Sequence, residues 1–166
     1  MRSPQTDGTR AQVYAAGFNS GSGNDYAEER DSLVLQPGKV VTETAVGKMV
    51  LADERLLPAC KVVSDTYGMS VGQRDNNEFR APVAVSGRVL VYPYRDRTEY
   101  PLGAAVCSAP NGTVDIMTRE EIMMYPERII GTVSEIPNYE VWSGSGIMGD
   151  IDSNVLVDGR IWVYVR

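Results

Sequence analysis

Val83-Ala-Val-Ser-Gly-Arg-Val-Leu-Val-Tyr92 and Val155-Leu-Val-Asp-Gly-Arg-Ile-Trp-Val-Tyr164 are two copies of one pattern. Each copy alternates with a period of two around a Gly-Arg pair, which predicts a strand, a tight turn or bulge, and a second strand. By subtraction, matched residues lie 65, 65, 70 and 72 positions apart: Gly38 with Gly103, Gly47 with Gly112, Val63 with Val133, and Gly87 with Gly159. We therefore expect a duplicated antiparallel β module.

The duplication divides the chain into two similar halves of one compact domain. The pseudo-repeats span about 32–92 and 100–166, within a single β domain over 23–166. Residues 1–22 are polar and glycine-rich, so we expect an extended arm or linker there. A length of 166 residues is enough for one hydrophobic core shared by both halves.

One helix stands out among the predicted strands. Thr118 is a capping residue, Glu121 completes a capping box, and Pro126 ends the segment, so the pattern predicts a helix over 118–125. A short helical turn is expected at 52–57, where the first half lacks this helix. A polar loop is expected over 68–79, and a buried strand over 128–134. The fold class is mainly β with one or two short helices.

Composition excludes several functions. The net charge of −6 and the absence of a Lys/Arg cluster disfavour nucleic-acid binding. No apolar run approaches the roughly 20 residues that span a membrane. Histidine is absent, which removes His-based triads and most zinc sites, and we expect no metal or cofactor. Cys60 and Cys107 occur on strand-like stretches outside any CxxC pair, which favours free buried thiols.

Asp25-Tyr-Ala-Glu28 is the sharpest local candidate for chemistry. Asp25 and Glu28 follow a loose Ser/Gly/Asn segment at 19–24, and two carboxylates so placed can act as acid and base on a backbone bond of that segment. The alternative is an N-terminal cap with solvated charges at the edge of the fold. The spacing taken alone favours this structural interpretation.

Arginine and aromatic residues offer two weaker candidates. The Gly-Arg pairs 87–88 and 159–160 are interpreted as a glycine at a bulge and an arginine that shields a strand edge or pairs across a subunit contact. Tyr92, Tyr94 and Trp142 are candidates for a receptor- or glycan-stacking surface, although aromatic residues among charges are also usual at subunit interfaces.

Several segments in order resemble one known family. They are Gly23-Asn-Asp-Tyr-Ala-Glu28, Pro37-Gly-Lys-Val-Val41, Lys61-Val-Val-Ser64, Pro82-Val-Ala-Val-Ser-Gly-Arg-Val89 and Arg128-Ile-Ile-Gly-Thr-Val-Ser134. Together they resemble the C-terminal domain of phage tail fibres, tail spikes and pre-neck appendages, a group that includes glutamic-peptidase-like autoprocessing intramolecular chaperones. The resemblance covers the chain from about Gly23 onward.

The resemblance implies a homotrimeric virion domain that follows a trimeric β stalk or contacts other virion proteins. In self-cleaving members, Asp25 and Glu28 would be the acidic pair, with the scissile bond within 19–24. The expected function is therefore virion assembly through trimerisation. Self-cleavage upstream of Asp25 is the alternative, and a receptor- or glycan-binding module is a further one.

Overall fold

Strands dominate the part of the chain that the computed structural model describes, which is residues 25–72, 79–135 and 159–166. The prediction of a mainly β fold is confirmed, and the strands form a curled sheet that resembles half a barrel. The strands are β1 Asp25–Asp31, β2 Val40–Glu43, β3 Met49–Leu51, β4 Cys60–Val63, β5 Tyr67–Val71, β6 Arg80–Val91, β7 Ala105–Ala109, β8 Thr113–Ile116, β9 Gly131–Glu135 and β10 Ile161–Val165. The α-helix α1 spans Arg119–Met124, and 3-10 turns occupy Arg97–Glu99, Pro110–Gly112 and Pro126–Arg128.

The order of strands in the sheet reflects the duplication. It runs β3-β2-β4-β6-β10-β9-β7-β8, so each half contributes an outer hairpin, a third strand and one of the two central strands. In the central pair Leu90 lies opposite Trp162, and these residues are equivalent because 162 minus 90 is 72. The flanking pairs, Val89 with Val163 and Val91 with Ile161, exchange under the same offset. A local two-fold relation therefore passes through the Leu90–Trp162 pair.

Matched turns repeat the same backbone hydrogen bonds. The amide of Gly38 donates to Val63 O at 2.7 Å, and the amide of Gly103 donates to Val133 O at 2.8 Å. These two glycines have φ values of +82° and +80°. Because side chains are strained in this left-handed region, glycine is the residue that suits both turns. The duplicated sequence therefore encodes a duplicated turn geometry.

The core is divided between the two faces of the sheet. The larger cluster contains residues from both halves, including Val40, Val62, Val106, Val133 and Val163. Neighbouring residues of the first half turn to the other face and form a second cluster: Val41, Met49, Val63, Ala81 and Val83. Alternating side-chain direction along a strand explains this division. The first half thus contributes buried residues to both faces of the sheet.

Two strand predictions are corrected by the pairing. The segment 68–79 is not wholly a loop, because Tyr67–Val71 forms β5 and pairs in parallel with β1. The predicted strand pair over 82–92 is one continuous strand, β6, in which Gly87 has a φ of +109°. It stays continuous because β1 lies along one edge and the other edge is shared by β4 and β10. The second-copy segment 155–158 lies outside the described residues.

Helix α1 confirms the capping prediction. Thr118 Oγ1 accepts from the amide of Glu121, and the Glu121 side chain accepts from the amide of Thr118. The helical turn expected at 52–57 is wrong, since this segment is an irregular turn with Leu56 at a φ of +60°. The strand expected from residue 128 begins at Gly131, because Pro126–Arg128 forms a 3-10 turn. Cys60 and Cys107 are free thiols, as predicted.

Candidate functional site

Asp25 is the first residue of β1 and lies inside the molecule, with 7% of its surface exposed. It lies opposite Gly87 of β6 and Tyr67 of β5. Its Oδ1 atom accepts hydrogen bonds from Thr66 Oγ1 at 2.7 Å and from Ser64 Oγ at 3.0 Å. Its Oδ2 atom is buried and has no hydrogen-bond partner in the described chain. One oxygen is therefore held by two hydroxyls, and the other is buried without a hydrogen-bond partner in the described chain.

The environment of Asp25 changes its acidity. Burial raises the pKa of this carboxyl from 3.8 to about 6, although the hydrogen bonds from Thr66 and Ser64 lower it; the nearby charge of Asp65 adds a smaller increase. A group with a pKa close to neutral can both accept and release a proton under ordinary conditions. Asp25 thus has the acidity expected of a general acid or base.

The turn that holds Asp25 is itself fixed by a buried ion pair. Asp65, between the two hydroxyl residues, accepts two hydrogen bonds from Arg160, at 2.8 and 2.9 Å. Arg160 is 2% exposed, and its guanidinium lies 5.9 Å from the centroid of the Tyr92 ring. The Asp65 side chain is 24% exposed, so breaking the pair should cost less than the roughly 3–5 kcal/mol typical of a fully buried one. The turn is therefore anchored to the residue that precedes β10.

Glu28 is not brought to Asp25. The burial of side chains alternates along β1, so Asp25 belongs to the buried side and Glu28 to the opposite, partly exposed side. The Glu28 side chain is 44% exposed and accepts a hydrogen bond from Arg30 at 3.3 Å. Arg30 also pairs with Glu43 of β2. The two predicted site residues therefore occupy separate environments within one chain.

The Gly-Arg pairs serve the interior of the fold. Gly87 and Gly159 have positive φ values of +109° and +78°, in agreement with the turn or bulge interpretation. Arg160 does not shield a strand edge, because it is buried in its pair with Asp65. The Arg88 guanidinium lies 5.2 Å from the centroid of the Trp162 ring. The two arginines thus have different contacts, Arg160 with Asp65 and Arg88 with the Trp162 ring.

The aromatic candidates are also separated in their roles. Lys39 Nζ lies 5.0 Å from the centroid of the Tyr92 ring, and Arg160 contacts the same ring, so Tyr92 is engaged by cations of its own chain. Tyr94 is 54% exposed. Trp142 lies outside the described residues, as do the arm 1–22 and the segment 19–24 expected to contain the scissile bond.

Other features of the described chain offer less chemistry. No group of three or more metal-binding side chains is found within residues 25–72, 79–135 and 159–166. Among the same residues, no helix is long and apolar enough to cross a membrane. A cavity of about 190 Å³ lies beside Cys60 and Arg128. Burial raises the pKa of the Cys60 thiol, which disfavours the reactive thiolate.

Sequence reasoning identified Asp25 and missed the residues that hold it. The sequence patterns include Ser64 only within the segment Lys61-Val-Val-Ser64, and they give Thr66 no role. The signal available was the polar run Ser64-Asp65-Thr66 directly after an apolar strand. That signal is weak, because polar turns after strands are common and the partners of this one lie 39 and 95 residues away.

The fold and this site define a class rather than a family. The chain is a mainly β protein with a duplicated, curled sheet and a buried carboxyl group at the start of its first described strand. No family model matches the chain, and a comparison with curated proteins gave no match. The resemblance to phage tail-fibre domains therefore stays a prediction.

Proposed function

We propose that the chain is an assembly domain of a bacteriophage virion, of the tail-fibre, tail-spike or decoration type, and that it forms a homotrimer. The choice of a trimeric virion domain follows from the sequence resemblance to phage tail-fibre and tail-spike domains. The observation that carries the proposal is a set of exposed apolar side chains around the edge strand β3, because such surfaces on soluble proteins commonly mark contacts with partners.

This apolar edge consists of residues that are between 39% and 86% exposed: Leu33, Leu35, Val46, Leu51 and Phe79. Backbone hydrogen bonds position two of them, because the Leu33 amide donates to Met49 O and Phe79 O accepts from the Ser32 amide. Strand β3 ends the sheet order, and Ser32 and Leu33 pair with its outer edge at Met49, so association here would use the exposed apolar side chains. The apolar edge therefore supports association through the first half of the chain.

The test is the oligomeric state of the full chain at micromolar concentration, measured by light scattering after gel filtration. We expect a mass three times the 18.2 kDa of one chain. The double variant Leu33→Lys/Phe79→Lys should dissociate the trimer. Met123→Lys is the control, since Met123 is 74% exposed on α1 in the other half. A monomeric wild-type chain would contradict the proposal.

Self-cleavage is a second candidate function, favoured by the environment of Asp25. Its unpartnered Oδ2 atom and its pKa of about 6 suit a group that takes a proton from an attacking water. Hydroxide would add to a carbonyl carbon within 19–24. As the carbon–nitrogen bond breaks, the departing backbone nitrogen would receive a proton from the second carboxyl group, which enters this step protonated and leaves it as a carboxylate. In the resembling family that second group corresponds to Glu28.

The cleavage test uses the chain behind its natural upstream stalk, followed by a denaturing gel. A fragment beginning between residues 19 and 25 is expected from the wild type, and none from Asp25→Asn. Glu43→Gln is the control, because Glu43 shares Arg30 with Glu28 but lies on β2. An intact, folded wild-type chain would exclude this candidate and leave the assembly proposal untouched.

Because Asp25 and Glu28 occupy different sides of β1, the second carboxyl group is tested separately. If one chain supplies Asp25 and its neighbour in a trimer supplies Glu28, coexpression of Asp25→Asn with Glu28→Gln restores partial cutting. Cutting by Glu28→Gln expressed on its own would remove Glu28 from the mechanism.

A further inference from the structure

Polar contacts at both ends of one turn, Ser64-Asp65-Thr66, join Asp25 to Arg160. Asp25 Oδ1 contacts the hydroxyls of Ser64 and Thr66, and the residue between them, Asp65, pairs with Arg160 through both carboxylate oxygens. The Thr66 amide also donates to Ser64 Oγ at 3.0 Å, which closes the turn on itself. The orientation of the Asp25 carboxyl therefore depends on a turn that Arg160, 95 residues from Asp65 in the sequence, holds in position.

We propose that Arg160 is a positioning residue for Asp25: through Asp65 it fixes the turn whose hydroxyls hold Oδ1, and so leaves Oδ2 as the oxygen that transfers a proton. Its part in cleavage rests on the self-cleavage candidate above. Two parallel hydrogen bonds from a planar guanidinium fix a carboxylate in orientation as well as in position, which a lysine cannot reproduce. A bidentate pair thus suits this role.

Among the described residues, the charge that acts on the Asp25 carboxyl is that of Asp65. Asp65 is adjacent on the β4–β5 turn and Arg160 faces it, while Tyr67 of β5 and Gly87 of β6 lie opposite Asp25 in the sheet. Arg88 follows Gly87 and packs on Trp162. Arg160 compensates the charge of Asp65 and fixes the turn that carries the two hydroxyl donors. Its removal should therefore favour the neutral form of Asp25.

The experiment is a carbon-13 NMR titration of the Asp25 carboxyl in the full chain, with the signal assigned by its loss in Asp25→Asn. Arg160→Gln should raise the Asp25 pKa by about one unit, the size of a lost hydrogen bond of about 1.4 kcal/mol. Arg160→Lys should give a smaller rise and serves if Arg160→Gln does not fold. Arg88→Gln, the matched arginine of the other Gly-Arg pair, should change the Asp25 pKa little.

A double-mutant cycle tests the route through the turn. Thr66→Val removes one hydroxyl with little change in shape and should itself raise the Asp25 pKa, whereas Thr66→Ser should restore the wild-type value. If Arg160 acts through this hydroxyl, the shift in Arg160→Gln/Thr66→Val is smaller than the sum of the single shifts. Additive shifts would overturn the positioning route.

Cleavage is measured on the same variants as a function of pH. The midpoint of the rate profile should move upward in Arg160→Gln by the shift seen by NMR, which a general loss of stability would not produce. An unchanged Asp25 pKa in Arg160→Gln and Arg160→Lys, or an equal change in Arg88→Gln, would refute the role of Arg160. If the NMR shifts occur and the wild type does not cut, the coupling stands and the self-cleavage candidate fails.

Discussion

The two halves have the same arrangement of strands in the sheet. They differ in the electrostatic environment of the carboxyl group that packs beside each of them, Asp25 and Glu121. Asp25 lies on β1, the strand that precedes the first half, and faces two hydroxyls of that half; burial raises its pKa to about 6. In the second half Glu121 accepts hydrogen bonds from Arg55, which lower the pKa of Glu121 to about 2. A duplicated sheet thus supports one carboxyl group suited to proton transfer and another fixed as a permanent charge.

The differences lie in what each half adds to the common strands. The first half gains β1 and β5, which enclose Asp25, whereas the second gains α1, which carries Glu121. The connection to the central strands differs as well. Strand β4 pairs with β6 at Val83 and Ala84, before Gly87, while β9 pairs with β10 over the segment that also contacts β6. The repeated strands form the common sheet, and the candidate site lies on the elements that are not repeated, β1 and β5.

The largest difference between equivalent positions is expected at Gly38 and Gly103. Both have φ near +80°, so alanine should cost about 1–2 kcal/mol from backbone strain at either. At Gly38 a Cβ atom would also overlap Arg160 Cδ and lie 3.1 Å from the Tyr92 ring, whereas within the described chain nothing lies within 4 Å of one at Gly103.

Gly38→Ala should therefore be less stable than Gly103→Ala by about a further 1–3 kcal/mol, the usual cost of overpacking. Urea unfolding of the two variants measures this difference directly. Equal losses would show that the Arg160 side chain does not pass against Gly38, and would break the proposed distinction between the halves.

Asp25→Asn should change how stability depends on pH. Folding raises the pKa of Asp25 from 3.8 to about 6, so the folded state prefers the protonated acid. Its stabilising contribution is therefore full below about pH 4 and is lost as the pH rises to about 6. The unfolding free energy of the wild type relative to Asp25→Asn should fall by about 3 kcal/mol over that range. Glu54→Gln, the same kind of change at an exposed residue, is the control and leaves the Asp25 carboxyl in place.

Arg55→Met should weaken the attachment of α1 to the sheet. Arg55 donates to Glu121, to Asp115 Oδ2 at 2.6 Å and to Ile116 O at 2.8 Å. Loss of hydrogen bonds to charged groups costs about 1.5–3 kcal/mol, moderated here because Arg95 still pairs with Asp115.

Thermal unfolding and the carboxyl titration of Glu121 provide the two measurements for Arg55→Met, and the Glu121 pKa should rise toward its ordinary value. Arg119→Met is the control, because this exposed residue of the same helix makes no ion pair within the described chain. A Glu121 pKa that stays near 2 would mean that Arg55 is not its principal partner.

The smallest expected effect concerns the capping box of α1. Among the described residues, this feature occurs in the second half and not in the first. Thr118→Ala removes the hydroxyl that accepts from the Glu121 amide and should cost about 1 kcal/mol. Thr118→Ser keeps the hydroxyl and should be nearly neutral in the same denaturation experiment. A full loss in Thr118→Ser would assign the effect to packing instead of capping.

The sequence predicts the frame well because its signals are local. Alternation predicts strands, and Thr118 with Glu121 predicts α1. Strand β5 was missed because Tyr67–Val71 contains Gly68 and Ser70 and gains its stability from pairing with β1. The strand propensity of a short segment gives no information about pairing with a strand so distant in the sequence.

The candidate site was predicted only in part for the same reason. Asp25 is visible as an acidic residue after a polar segment, but its burial depends on β5 and β6. The role of Arg160 depends on a contact that spans 95 residues. Glu28 was linked to Asp25 by spacing, yet in a strand residues three apart lie on opposite faces. Because the motif forms a strand, Asp25 contacts Ser64 and Thr66 on one face, and Glu28 contacts Arg30 on the other.

The most direct test of the contrast between the halves is one carbon-13 NMR titration of the folded full chain, with Asp25 and Glu121 assigned by Asp25→Asn and Glu121→Gln. The expected result is a midpoint near 6 for Asp25 and one near 2 for Glu121. An Asp25 midpoint at its ordinary value of 3.8 would contradict the account, because it would show a solvated carboxyl group in place of a buried one held by Ser64 and Thr66.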